Sequence, residues 1–444
     1  MTLLMERKPP AAAGAAPLRP EFRRGFAPLA GAAVLLTLVV ALAVPAESWQ
    51  GGWAETRDRT HAAAVLLGIP LALAAGCWQG GRERRRGTGD LLETAVRGAL
   101  PRFLASAVPV ALWVAAGHLL AAGCALLATW YCATGDSPYL VVPLTDSLLL
   151  GSAALAGQVV GRAVRWRLAA PVLATAGYAV LGFLSYDHGN ALSALSPLID
   201  TSVHRMPVWW QPWVSVVWVG GLAAAAVLAL TARRPVTALV PLACATAAAV
   251  VLVQAGGLTR PNPVAQRQVC DTSTTPQVCV NTRYGKLLPQ ITEALSGLTG
   301  RLEGVDNVPV RFEDRVGRSR ADEAELPMVT PLGWSVVRGK LTEPERYAWE
   351  AGTALVGRRA ECDHTDPAVA RTDAAVEHYL APSPAEKLFD DLDARGSATD
   401  RAELKARQQA RARLLGMAED ERRAWLSEYF ATAKNCDRNG VPTL

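Results

Sequence analysis

Seven apolar stretches restrict this chain to very few folds: Ala27 to Ala46, Ala62 to Gln79, Phe103 to Cys132, Leu144 to Gly161, Leu168 to Ser185, Trp213 to Ala232 and Val236 to Ala255. Each is near the ~20 residues that a helix needs to cross a bilayer core. In lipid a backbone must satisfy its own hydrogen bonds, so a stretch of this kind spans as a helix. Phe103 to Cys132 is long enough to tilt or to project beyond the bilayer. Residues 27–257 are therefore expected to form an α-helical polytopic membrane domain of about seven transmembrane helices.

The loops between the stretches set an expected orientation. Lys and Arg number 16 in residues 1–26, 80–102, 162–167 and 233–234, against 3 (Arg57, Arg59 and Arg205) in the alternate loops. Positive charge is retained on the cytoplasmic side. The N-terminal tail (1–26) and the loop 80–102 are thus expected in the cytoplasm, and the chain beyond residue 257 outside the plasma membrane. Trp49, Trp53, Trp78, Trp130, Trp166, Trp209, Trp210 and Trp213 lie at or near stretch ends, as an interfacial belt does. Arg23-Arg24-Gly25-Phe26 also matches a twin-arginine export signal, but the apolar run after it is long for one and further spans follow. The net charge of +5 sits in these loops, since residues 1–257 carry 19 Lys+Arg and 12 Asp+Glu while residues 258–444 carry 26 and 28. That distribution excludes nucleic acid as a partner and makes the lipid bilayer the first one.

Residues 258–444 read as a separate, mainly helical extracytoplasmic domain. Leu287, Leu288, Ile291, Leu295, Leu298 and Leu302 recur at helical spacing. Thr342-Glu343-Pro344-Glu345 and Ser383-Pro384-Ala385-Glu386 match capping boxes, and Asp366-Pro367 a cap followed by proline, so helices are expected from about 343, 366 and 384. A last helical pair is expected over 400–415 and 419–434, with strands only over 308–313 and 329–337. The domain holds four cysteines, Cys270, Cys279, Cys362 and Cys436. An even number suits a compartment where disulfides persist. Three pairings exist; Cys270 with Cys279 closes a short turn-rich loop, and Cys362 with Cys436 ties the chain end to the domain middle. Cys77, Cys124, Cys132 and Cys244 lie in or beside spans, where a thiol acts as a small apolar group.

Signs of chemistry are few. The chain has no GxxxxGK[ST], HExxH or GxSxG pattern, and no CxxC or histidine cluster accompanies its cysteines, so no enzyme, cofactor or metal site is expected. Two polar residues in the apolar stretches are costly in lipid and should face protein or water. His118 lies mid-span, bonding a neighbouring helix or lining a substrate path, and Asp146 near a span start is expected at the interface. Gly157-x-x-x-Gly161 should let the fourth span pack closely against another helix.

The loop 80–102 carries six arginines, then a short amphipathic helix marked by Leu91, Leu92, Ala95, Val96 and Leu100. Its Glu83-Arg84 to Gly87-Thr88 to Leu91-Leu92 run resembles the cytoplasmic loop of ABC-2 type transporter permeases, in which such a loop forms the coupling helix that touches the ATPase subunit. Gly161-Arg162 to Ala169-Ala170-Pro171 and Val278-Cys279-Val280 to Tyr284 to Leu288-Pro289 are similar to actinobacterial membrane proteins described as ABC transporter permeases. The usual proline after the leucines is absent before Pro101, and seven spans with a C-terminal outer domain replace the usual six. The resemblance implies a non-enzymatic permease subunit that contacts a cytoplasmic ABC ATPase through Glu83, Arg84, Gly87, Thr88, Leu91 and Leu92. It would work with a second permease subunit or a second copy of itself. The competing expectation is a membrane-anchored extracellular binding or sensing protein that transports nothing.

Overall fold

The computed structural model describes residues 22–23, 25–87, 98–133, 137–186, 191–199, 204–314, 320, 322–329, 336–357, 366–433 and 440–444. The chain divides into two compact units. Residues up to 46, 56–128 and 138–260 form the first; residues 47–55, 129–137 and 261–444 form the second.

The first unit is built of apolar helices: α1 Ala27–Ala43, α2 Trp53–Gly80, α3 Ala99–Trp130, α4 Val141–Ala163, α5 Ala169–Tyr186, α6 Gln211–Thr231 and α7 Leu239–Gln254. Among the described residues five helices are long and apolar enough to cross a membrane, namely α2, α3, α4, α6 and α7 with its short lead-in from Pro235. At the first and fifth expected spans stand shorter apolar helices, α1 and α5. Every apolar stretch is thus helical, but α2 begins well before Ala62. The polar run Thr56 to His61 continues the helix instead of looping. A π-helical turn over Ala64–Gly68 interrupts α2 just before Pro70, which has no N–H to donate into the regular ladder.

α2 and α4 touch backbone to backbone. A Cβ added at Gly157 would lie 2.1 Å from the Leu73 carbonyl oxygen, and one at Gly161 would lie 2.0 Å from that of Cys77. From the other side, Gly76 and Gly80 would meet the carbonyls of Ala154 and Gln158 at 2.0 and 2.3 Å. The expected Gly157/Gly161 face therefore meets a matching Gly76/Gly80 face, the small-residue pairing by which helices associate in lipid. α1 crosses α3 in the same manner, with Gly31 against the Trp113 carbonyl and Gly117 against that of Gly31. The first unit's main core gathers Ala27, Val34, Leu38, Val65, Ile69, Val110, Val114, Leu149 and Leu150.

The second unit is helical with a four-stranded mixed sheet. Strands β3 Gln268–Asp271, β4 Gln277–Asn281, β5 Arg311–Glu313 and β6 Glu323–Glu325 lie in that order, β3 antiparallel to β4 and the rest parallel. β7 Val336–Val337 pairs with β8 Lys340–Leu341 in this unit, whereas β1 Arg205–Pro207, which pairs with β2 Thr259–Pro261, lies in the first. Between the parallel β4 and β5 runs α8 Leu288–Arg301, whose buried face is Ile291, Leu295 and Leu298 as its spacing foretold. Its core continues through α9 Pro344–Val356, α10 Pro367–Leu380, α12 Ala398–Gly416 and α13 Glu419–Ala433, with Tyr347, Leu355, Val376, Leu414, Tyr429 and Phe430 inside. α11 Glu386–Arg395 joins α12 through ion pairs of Arg407 with Asp393 and Arg411 with Asp390.

The second unit is mainly helical as expected, but three of its four core strands, β3, β4 and β6, fall outside the expected segments and only β5 falls within one. None of the four exceeds five residues, too short for an alternation to stand out. The capping boxes also differ. α9 starts at Glu343 and α11 at Ala385 without a side-chain cap, whereas a complete box forms at Ser397 with Asp400. Asp366 does cap α10, accepting from the Ala368 N–H at 2.8 Å. Cys270 and Cys279 form the expected disulfide, across paired positions of β3 and β4. Cys362 and Cys436, and the loop residues Thr88, Leu91 and Leu92, lie outside the described residues.

Candidate functional site

The first unit hides an unusual amount of polarity at the N-terminal ends of α2 and α4. His61, 6% exposed, and Asp146, 1% exposed, face each other across these helices. The Nδ1–H of His61 donates to the Asp146 carboxylate, with separations of 2.9 and 3.1 Å to its two oxygens. The Nε2 of His61 makes no hydrogen bond of good geometry among the described residues, although the Pro197 carbonyl lies near. Asp146, expected near the start of its span at the interface, is enclosed by protein, with His61 of the early-starting α2 alongside. A buried carboxylate needs such a partner, since an unpaired charge in lipid is far more costly.

His118 on α3, fully buried, reaches the next residue of α4. The Ser147 hydroxyl, 2.8 Å from the Pro143 carbonyl, donates there and accepts from His118 Nδ1 at 2.9 Å. That assignment leaves Nε2 of the neutral ring as a buried acceptor without a hydrogen bond among the described residues. Three helices thus meet at two histidine contacts on consecutive residues of α4. The sequence singled out His118 and Asp146 but missed His61, which stands at the end of the charged run 55–59 and looked like loop. The available signal was that Arg57 and His61, four apart, share one helix face.

Two spaces adjoin the pair. A cavity of about 10 Å³, room for about one water, is lined by His61, Asp146, Arg57, Thr145, Gln211 and Ser215. On another side of His61 lies a cleft of about 800 Å³ bounded by α5, α7 and the 191–199 segment, with Asp58, Arg59, Arg205, Ser185, Leu252 and Val253 on its walls. The cleft is amphipathic and large enough for a small organic molecule. His61 stands in the wall common to both. The π turn one helical turn further along α2 is a local irregularity of the kind that helices carry beside functional residues.

At the far ends of α2 and α4 the basic loop begins. Arg162 of α4 donates to Glu83 at 3.0 Å and to Ser106 of α3 at 3.3 Å, and its guanidinium lies 4.8 Å from the Phe103 ring centre. Gln158 donates to the same Ser106 hydroxyl at 2.6 Å. Arg84 donates to the Gly161 carbonyl. Gly87 follows the short turn Arg82–Arg85 with φ +64°, the left-handed conformation that ends a helix. Of the residues expected to couple to an ATPase, Glu83, Arg84 and Gly87 are therefore placed, two of them tied to α4. The described residues contain no group of three or more His, Cys, Asp or Glu that could hold a metal ion.

No family model, curated protein or solved structure matches this chain. The resemblance to ABC-2 permeases accordingly rests on the short motifs quoted above.

Proposed function

We propose that this chain is the transmembrane permease subunit of an ABC transporter, driven by a separate cytoplasmic ATPase. In this reading α1 to α7 all cross the plasma membrane, the arginine-rich end is cytoplasmic and residues 258–444 lie outside. The observation that carries it is the α2–α4 pair. Glycine contacts join the two helices backbone to backbone, an ion pair and an arginine–carbonyl bond tie them to the basic loop at one end, and His61–Asp146 beside the cleft lies at the other. Packed helices transmit motion as rigid bodies because their interfaces do not deform continuously. Displacement of the loop by a nucleotide-driven partner would move α2 and α4 together and change the width of the cleft, where substrate would sit.

The 16 to 3 charge asymmetry supports the orientation. So does the disulfide in the second unit, which persists in an oxidising compartment.

The second reading, a membrane-anchored binding protein, is favoured by a cleft of about 270 Å³ in the second unit. There the Arg301 and Arg422 guanidinium groups lie 5.4 and 5.0 Å from the Tyr379 ring centre. Purification from native membranes separates the two. The permease reading expects an ATPase to copurify with the wild-type chain and to be lost with Leu92→Asp, while insertion and the Cys270–Cys279 disulfide persist. Absence of any ATPase from the wild-type preparation would leave the binding reading in its place.

A further inference from the structure

At the arginine-rich end of α2 and α4, a further pocket of about 210 Å³ is lined by Arg84, Arg85, Arg165, Arg167, Trp78 and Trp166 together with small apolar residues of α2 and α5. No carboxylate lines it. The nearest one in sequence, Glu83, is bound to Arg162. Two of the four guanidinium groups are held in place: Arg84 donates to the Gly161 carbonyl, and Arg85 donates to the Trp78 carbonyl while lying 4.1 Å from the Trp78 ring centre. Arg165 and Arg167 are exposed and form no ion pair among the described residues. Partial desolvation and the like charges of Arg84 and Arg86 lower the pKa of the Arg85 guanidinium.

We propose that this pocket binds the phosphate of an anionic phospholipid. Arginine forks suit phosphate oxygens, and basic pockets between membrane helices take acidic headgroups. The surroundings favour a lipid over a free anion. Trp78 and Trp166 are 46% and 56% exposed at helix ends, where indoles sit at headgroup level. Leu168 and Val172, 55% and 47% exposed, continue outward from the pocket along the start of α5 as a surface for an acyl chain. The proposal needs only that the helices are membrane-embedded and stands or falls independently of any ATPase partner.

The test is native mass spectrometry of the full-length chain, exchanged in detergent against phosphatidylglycerol and phosphatidylcholine. Wild-type protein is expected to retain phosphatidylglycerol in preference. Arg165→Gln with Arg167→Gln, which removes two charges that anchor nothing else in the structure, is expected to weaken that retention about thirtyfold, at roughly 1 kcal/mol per arginine. Arg233→Gln with Arg234→Gln, at exposed arginines of the same net charge elsewhere in the chain, should leave it unchanged. Equal loss in both pairs would reduce the effect to diffuse surface charge and overturn the proposal. Displacement of the lipid by millimolar inorganic phosphate would overturn it in favour of a free anion, and so would failure of the wild-type chain to prefer phosphatidylglycerol.

Discussion

Two carboxylates show how burial assigns work to single residues. Asp146 is buried against His61, so removing either partner strands the other. His61→Gln or Asp146→Asn should each cost about 3–5 kcal/mol, whereas the double substitution should cost clearly less than the sum, as residues in direct contact do. Unfolding in mixed micelles measures all three, and additive losses would show that the pair does not act as a unit. Asp314, behind β5, is different. Burial is the chief cause that raises its pKa from 3.8 to about 6, against the Asn281 backbone N–H and Arg283, which act to lower it, and with Glu325 adding to the rise. The native state then holds this proton more tightly than the unfolded chain. Its contribution is present in full below about pH 4 and is lost as pH rises through about 6, on the order of 3 kcal/mol. Asp271 and Asp400, whose pKa values are lowered by hydrogen bonds from Ser273 and Ser397, act oppositely and only under more acidic conditions. Asp314→Asn should flatten the stability profile of the second unit between pH 4 and 7, as read by its denaturant midpoint at each pH. Neither assignment was legible in the sequence, because the partners of these carboxylates, His61 in one case and β4 and β6 neighbours in the other, come from distant segments.

The elements were more legible than their partners. All seven apolar stretches are helical, because twenty apolar residues leave the backbone no other way to bond itself. Gly157-x-x-x-Gly161 announced a close contact but not that Gly76-x-x-x-Gly80 would receive it, since a smooth face carries no label for its mate. The contact predicts its own sensitivity. A Cβ at Gly161 meets a carbonyl oxygen rather than the end of a flexible side chain, so Gly161→Val must push α2 and α4 apart. It should destabilise the first unit by about 1–3 kcal/mol, as overpacking does, seen as a lowered midpoint of thermal aggregation in detergent. Gly123→Val on α3 provides the comparison, because nothing lies within 4 Å of its added Cβ. An equal fall in both would show that the loss does not come from the α2–α4 contact, since propensity alone favours valine over glycine in a helix. Short strands were the least legible elements, for β3 to β6 depend on pairing with one another rather than on any pattern within themselves.

For the whole molecule, the question is whether Glu83 belongs to this chain or to a partner. In the resembled permeases the corresponding glutamate touches the ATPase; here it is bound to Arg162 at 3.0 Å. Glu83 is 43% exposed and Arg162 18%, so the pair itself contributes only about 0–1 kcal/mol to stability. Breaking it should therefore leave insertion and folding nearly unchanged and, under the permease proposal, show its effect in coupling, because it joins the basic loop to α4. Charge reversal separates the two roles. Glu83→Arg alone should uncouple ATP hydrolysis from transport in reconstituted vesicles, and so should Arg162→Glu alone. If the pair is a joint within this subunit, the double reversal restores the attraction and recovers coupling to within a few fold. If Glu83 instead serves an ATPase surface, Glu83→Arg repels the cationic group it once met, and adding Arg162→Glu returns nothing. Recovery in the double variant would support the loop moving with α2 and α4 as one body, the property on which the proposed permease mechanism depends.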